Sequence, residues 1–369
     1  MNARTPRVSE LDGLRGLAIA LILWHHLVER FLPAGRESIL GWLRAGTGLS
    51  WCGVDLFFVL SGYFIGGILI DRRGSPRLAR VFYLRRAARI LPLYYLTLAA
   101  VFAAFLCGWP GSYHLFSPWI YGLFLTNFAL AAAQVWDWLP LSVLWSLAVE
   151  EQFYLAAPWV VRAMTPARLP WLLAGLALLA WAGRAALLLF FPHGNFAAHV
   201  LMPFRMDALA LGALVAWAMR HPEAQPFFFR LGRHWRGCLA GTLAAFAAMA
   251  VLRPAESSPF LCLAGYTLLA AGFALIIAIV AGARPAGLNR LLAAAPLAHL
   301  GRHSYFVYLW HALLGAGIIR YLGGASFVLN SLSAAAIIAL AIAATWGAAA
   351  LSWRFLEGPL VAWGHRQSY

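Results

Sequence analysis

The residues able to do chemistry sit where a membrane protein can least accommodate them. The stretch LDGLRGLAIALILWHHL, residues 11–27, is apolar enough to enter a bilayer yet carries Asp12, Arg15, His25 and His26. Ionisable groups inside a span cost kilocalories each unless they are paired or face a cavity, so they mark function by default. Arg15 and His26 lie eleven residues apart. At about 100° per residue that is three turns, so both project from one face, separated by roughly 16 Å along the axis. A cation near one surface and an imidazole deeper in would line a shaft; taken alone, a snorkelling arginine and a packed histidine would read the same way. Asp55, just inside the next apolar run, and Glu150 with Glu151, inside the run LWSLAVEEQFYL, are the other carboxylates placed among apolar residues. Counted from the expected span entries at the usual rise, His26 and Glu150 fall roughly 10 Å deep and Asp55 roughly 5 Å. The three form one layer, in which a carboxylate would orient the imidazole and stabilise its charged form. Adjacent Glu150 and Glu151 point about 100° apart, so at most one faces a given cavity.

A second constellation is basic. Seven arginines fall within residues 72–89, more than topology needs, and Arg85, Arg86 and Arg89 share part of one helical surface ahead of Pro92. Guanidinium forks match phosphate oxygens bidentately, so a ligand with several phosphates would suit them. Topology plus attraction to anionic lipid, worth about 1 kcal/mol per arginine, is the competing account of the cluster. Near the end of the chain, HLGRHSYFVYLWHALLG carries Tyr308 and His311 at i and i+3, on one face. PFRMDALALG places Arg205 beside Asp207, which reads as a mutual ion pair. Ser61, Trp145, Glu151, Tyr308 and His311 complete the candidate pocket.

The elements that must hold these groups are transmembrane helices. Of 369 residues 63% are hydrophobic and only 11% charged, against about 25% charged for a soluble domain; the mean hydropathy is +0.75. The first apolar run lacks a small-residue cleavage site and holds charges, so it reads as a retained span and not a removed signal peptide. Ten runs are long enough to cross: 13–32, 52–70, 90–108, 143–161, 170–191, 204–219, 237–252, 261–282, 303–319 and 330–353. An eleventh, 117–133, is short and broken by Pro118 and Asn127. All 28 basic residues are arginine, and the formal charge is +15. With the N-terminus inside and 117–133 dipping in and returning, twenty arginines, Arg4 and Arg7 among them, fall in inner segments. Five (Arg30, Arg36, Arg44, Arg253 and Arg320) fall in outer ones, and Arg15, Arg184 and Arg205 lie within spans. That asymmetry is the one expected of inner and outer loops, and it vanishes if 117–133 crosses. The reading is therefore an all-α polytopic bundle of about ten transmembrane helices with a re-entrant segment near 117–133 and both termini cytoplasmic. It is a single domain over 1–369 with a solvated cytoplasmic tail from 354. The charge follows from topology, so nucleic acid is not a partner. The four cysteines show no metal, redox or disulfide spacing, so no bound metal or cofactor is expected. The surrounding partner is membrane lipid.

Six pieces, LDGLRGLA with its arginine-to-histidine spacing (Arg15 to His26), GVDLFFVLSGYFI, RRAARILPLYY, LWSLAVEEQFYL, RMDALALG and GRHSYFVYLWH, occur in order from about Leu11 to Pro359. Together they resemble the acyltransferase 3 family of integral membrane acyltransferases, whose fold is a bundle of about ten transmembrane helices. The resemblance implies transfer of an acyl group, commonly acetyl from acetyl-CoA on the cytoplasmic side, to a hydroxyl of an extracytoplasmic glycan or glycolipid, in a bacterial inner membrane. Many members carry a C-terminal hydrolase-like domain, and this sequence resembles the short form without one. The spacing makes His26, not His25, the family histidine, acting as general base or as acyl carrier; the donor phosphates would dock on Arg85, Arg86 and Arg89 with Arg15 near the mouth of the shaft. Asp55 or Glu150 would partner His26. A transporter or flippase of a lipid-linked sugar is the competing class, but it leaves the arginine cluster unused, and no two-fold repeat is evident between the halves.

Overall fold

In the computed structural model, residues 9–33, 35, 37–109, 111–191, 194–252 and 258–369 are described; Arg4, Arg7, Arg36 and Arg253 of the charge argument lie outside them. These residues are mostly helical, with no strand among them. Nine stretches are long and apolar enough to cross a membrane: α1 (Ser9–Phe31), α2 (Ile39–Arg72), α3 (Leu78–Leu106), α5 (Leu169–Phe190), α6 (Gly194–Ala218), α7 (Pro222–Leu252), α8 (Leu261–Ala283), α9 (Ser304–Gly323) and α10 (Leu332–Arg366). The tenth expected span is α4 (Leu144–Ala163), a 20-residue helix. Its length suffices, and Glu150, Glu151 and Gln152 lower its hydropathy.

Segment 117–133 forms two short helices, Pro118–Gly122 and Thr126–Ala133, at 5 and 8 residues too short to cross about 30 Å at 1.5 Å per residue. Phe124, at φ 56°, turns the chain between them. Backbone at such a turn must be satisfied by protein if it lies within a membrane, and side chains of α3 and α4 do this. Tyr94 and Tyr95 donate to the carbonyls of Tyr121 and Gly122 at 2.6 and 3.0 Å. Gln152 donates to the Phe124 carbonyl at 3.1 Å and pairs with the Asn127 amide in both directions.

α1 runs between two apolar clusters. Leu11, Leu14 and Ala18 pack with α2, α6 and α8. Ile19, Ile22, Leu23 and Leu27 pack with α3, α4, α9 and α10. Close approach of α2 to α6 rests on glycine: a Cβ on Gly62 would lie 1.9 Å from the Leu209 carbonyl oxygen, and one on Gly212 2.0 Å from that of Val59. Small residues at such crossings let backbones touch, which drives helix association where lipid removes the hydrophobic gain. α5 and α7 bury little of their apolar surface and form the periphery.

The chain's end corrects one expectation. Residues from 354 do not form a solvated tail. Glu357 is buried and accepts from the Ser352 hydroxyl at 2.9 Å. The closing helix Gly358–Arg366 lies along α3, where Arg85 donates to the Gln367 carbonyl at 2.6 Å and stacks on the Tyr369 ring at 4.7 Å.

Gly62→Val should therefore destabilise the bundle by about 1–3 kcal/mol or more, read as a lowered melting temperature of the detergent-purified protein. Gly347→Val, where a Cβ would meet nothing within 4 Å, should leave it unchanged.

Candidate functional site

Among the described residues the bundle encloses connected spaces, two of them lined by the candidate residues. The larger, about 770 Å³, is lined by His25, His26, Glu29, Asp55, His199, Arg205 and Tyr308, by Arg30, Arg44 and Arg320, and by five tryptophans, Trp51, Trp109, Trp136, Trp138 and Trp145. It reaches the connecting segments near 111–113, 136–139 and 324–325. The smaller, about 100 Å³, is lined by Arg15, Arg86, Arg89, Ser61, Glu150, Tyr154 and Ser304. Val54 and Tyr308 line both. A third space of about 50 Å³ is lined by Arg85, His365 and Tyr369, and shares Arg86 and Arg89 with the second. The single expected shaft is thus a file of spaces, with Arg15, Arg86 and Arg89 at one end, His26 at the other and Tyr308 between.

α4 measures the distance along this file. Trp145 faces the histidine cavity, and Ser146 hydrogen-bonds the Tyr308 hydroxyl at the partition. Glu150 and Tyr154 follow at four-residue steps in the arginine cavity, each about 6 Å further on. Ser61 of α2 hydrogen-bonds Tyr154 there and also meets Glu150. Tyr308 is fixed a second time by donating to the Val143 carbonyl at 2.8 Å.

Among the described residues His26 meets no carboxylate. Its Nδ1 lies 3.0 Å from Nε2 of His311, which is fully buried, and the rings are tilted by 31°. Asp55 instead pairs with Arg205 at 2.5 Å, both side chains 1% exposed. Arg205 also stacks on the Tyr266 ring at 3.8 Å. The Arg205–Asp207 pair read from the sequence is absent. Asp207 binds Arg184 at 2.8 Å and the Thr267 hydroxyl at 2.9 Å, so two buried ion pairs tie α2 to α6 and α5 to α6. The layer of His26, Asp55 and Glu150 is corrected for the same reason. Counting residues from a loop gives depth along one helix but neither its starting level nor the azimuth of a side chain. Asp55 shares the cavity of His26 without binding it, and Glu150 belongs with the arginines.

Arg15, Arg86 and Arg89 converge on one small space with Glu150, leaving an excess of positive charge there. Arg15 lies over the Phe64 ring at 4.2 Å and 3.8 Å from Asp12. Arg85 is turned away, toward the C-terminal carbonyls. Glu151 lines none of the three spaces, and its Oε1 is buried without a partner among the described residues. In the segment beyond the short helices, Asp137 lines the histidine cavity and accepts from the Tyr121 hydroxyl and from the Trp138 backbone at 2.7 Å. Burial raises it above the usual carboxylate range, and those bonds oppose the rise.

His199 was not singled out in the sequence. It is buried, 2.7 Å from the Tyr266 hydroxyl, with its ring 4.9 Å from that of Trp145 and 5.7 Å from that of Trp136. Tyr154 was not singled out either, though its i+4 spacing from Glu150 was a signal that could have found it; His199 carries no spacing signal.

Truncating Asp55 to Ala should leave the Arg205 charge buried and unpaired and cost about 3–5 kcal/mol. The paired change Asp55→Leu with Arg205→Met should recover most of it, checked by thermal melts of the three purified variants.

The family model described as "Acyltransferase domain" matches residues 8–353. Among curated proteins, the chain is 28% identical to the Listeria monocytogenes protein named peptidoglycan O-acetyltransferase OatA, over 96% of this chain and 56% of that one. It is 28% identical to the Bacillus subtilis putative peptidoglycan O-acetyltransferase YrhL, over 96% and 55%. It is 25% identical to the Staphylococcus aureus O-acetyltransferase OatA, over 95% and 56%. The chain therefore spans a little over half the length of these relatives. No solved structure matches it.

Proposed function

The chain belongs to the acyltransferase domain family, and from that premise we propose that it is a membrane O-acyltransferase. It moves an acyl group, in the first instance acetyl, from acyl-CoA to a hydroxyl of a carbohydrate or glycolipid of the cell envelope. The names of its relatives, O-acetyltransferases of peptidoglycan among them, favour a glycan acceptor. The observation that carries the reading is the partition: an arginine-lined space and a histidine-lined cavity lie on either side of Val54 and Tyr308.

The donor's phosphates dock on Arg86 and Arg89 from the arginine-rich end, which the positive-inside asymmetry makes cytoplasmic. Arg15 receives the start of the acyl-bearing arm, and Arg85 stands at the entrance. The thioester reaches past Tyr308 to His26. The acceptor enters the larger cavity, where tryptophan faces suit the apolar faces of sugar rings. His26 takes the proton of the acceptor hydroxyl as its oxygen attacks the thioester carbonyl. The tetrahedral centre collapses with cleavage of the carbon–sulfur bond, and the departing thiolate takes the proton back from the imidazolium. The products are an ester and free CoA, and His26 returns to its neutral form. Asp55 and Arg205 shape the acceptor side; Glu150 and Ser61 shape the donor side.

His26→Ala should lower acetyl-CoA hydrolysis or acetyl transfer by about 10²- to 10⁴-fold while acetyl-CoA still binds. Arg89→Ala should weaken acetyl-CoA binding by about tenfold or more, the loss of one charge-assisted contact. Isothermal titration and a thiol-release assay on the detergent-purified protein check both. If the wild type binds neither acetyl-CoA nor longer acyl-CoAs, the transporter of a lipid-linked sugar takes over as the reading.

A further inference from the structure

Both histidines of the pair sit in π turns: half-buried His26 within Trp24–Val28 of α1, and buried His311 at the head of His311–Gly315 of α9. In a π turn the backbone N–H reaches back five residues instead of four, so the local carbonyl pattern is disturbed, and such turns recur at functional sites. At α9 the carbonyl oxygens of Val307 and Tyr308 lie 3.2 and 2.7 Å from His311 Nδ1.

Those two contacts set a protonation order. A carbonyl oxygen can only accept, so His311 Nδ1 carries a hydrogen and donates it. The groups around the pair are His25, Arg30 and Tyr308; Glu29 reaches His25, and among the described residues no carboxylate hydrogen-bonds either ring of the pair. A doubly protonated imidazole, fully buried and without a counter-charge, would be costly. His311 is therefore neutral, and its Nε2 offers a lone pair. That lone pair faces His26 Nδ1 at 3.0 Å. Two lone pairs would repel at this distance, so His26 Nδ1 carries the hydrogen and donates it. A neutral imidazole has one N–H, so His26 Nε2 is bare, and His26 lines the large cavity.

We infer that His311 is a positioning residue that holds His26 as the Nδ1–H tautomer with the Nε2 lone pair toward the acceptor hydroxyl. The inference rests on the reading of His26 as the base. When His26 takes the acceptor proton at Nε2, its Nδ1–H bond to His311 stays in place and stabilises the imidazolium. His311 thus supplies with a neutral ring the orientation that a carboxylate supplies in a catalytic triad, without introducing a buried charge. The α9 backbone, through Val307 and Tyr308, fixes the arrangement.

The test needs no acceptor. The full chain is labelled with ¹⁵N-histidine in detergent, and the His26 signals are identified by their loss in His26→Gln. The inference expects a protonated Nδ1 and an unprotonated Nε2 above neutral pH; the opposite tautomer overturns it whatever the activity. Thioester hydrolysis is then followed with acetyl-CoA as probe. His311→Phe keeps the ring but removes the acceptor for His26. It should lose at least about a hundredfold in kcat, with KM for acetyl-CoA changed by less than about threefold. His311→Gln, whose amide can accept from His26 and donate to the α9 carbonyls, should recover kcat to within about tenfold of wild type. A wild-type kcat in His311→Phe, or a folded His311→Gln as inactive as His311→Phe, overturns the role. A wild type that turns over no acyl-CoA removes the role together with the acyltransferase reading, and the tautomer signal separates that failure from a wrong hydrogen-bond order.

Discussion

The structure depends on keeping charge inside a membrane bundle without leaving it unpaired. Arg184 and Arg205 are the bulkiest fully buried side chains in the described protein, and each is tied to a carboxylate on another helix. An uncompensated buried charge costs far more than a pair gains, so these bonds act less as a source of stability than as a register. α2 and α5 can meet α6 only where Asp55 reaches Arg205 and Arg184 reaches Asp207. The glycine contacts between α2 and α6 reinforce the same alignment, because they too allow one close approach. That alignment leaves room for the histidine cavity beside α1.

Within this frame the ionisable groups sort by whether they are neutralised. The ion pairs Asp55–Arg205 and Arg184–Asp207 are buried, each charge matched by its partner. The arginines of α1 and α3 are not matched one for one by carboxylates, and they surround a space. The histidines pair with each other, which avoids both a buried charge and a buried orphan. The proposed function, an anionic donor at one end and proton transfer at the other, would need these different solutions side by side.

Much of this was legible in the sequence, and the limits have a physical origin. Hydropathy and the arginine count located the spans, and the short helices at 117–133 agree with a segment too interrupted to cross. The candidate site residues Arg15, His26, Asp55, Glu150 and the arginine run stand out against an apolar background. Their partners do not. Asp55 and Arg205 are 150 residues apart and His26 and His311 are 285 apart, and no local period links residues on different helices. Charges two residues apart, such as Arg205 and Asp207, invite a local pairing that helical geometry prevents, since the two side chains leave the axis about 200° apart, on opposite faces. Glu357 was misread as solvated because a charged residue near a chain end has no sequence feature that reports a helix folding back over it.

The π turns carry a consequence for how such a chain can change over generations. A π turn behaves as a single inserted residue accommodated inside a helix. Loss of one residue from Trp24–Val28 or His311–Gly315 would restore regular winding, keep the flanking turns roughly in register and shift the side chains carried by the turn itself. The apolar composition of the span would survive such a deletion, and so would its fitness to cross a bilayer. The facing of the two imidazoles would not. Length variation in α1 and α9 is therefore constrained by angle and not by hydropathy, and drift in these helices is confined to substitutions that leave the residue count intact.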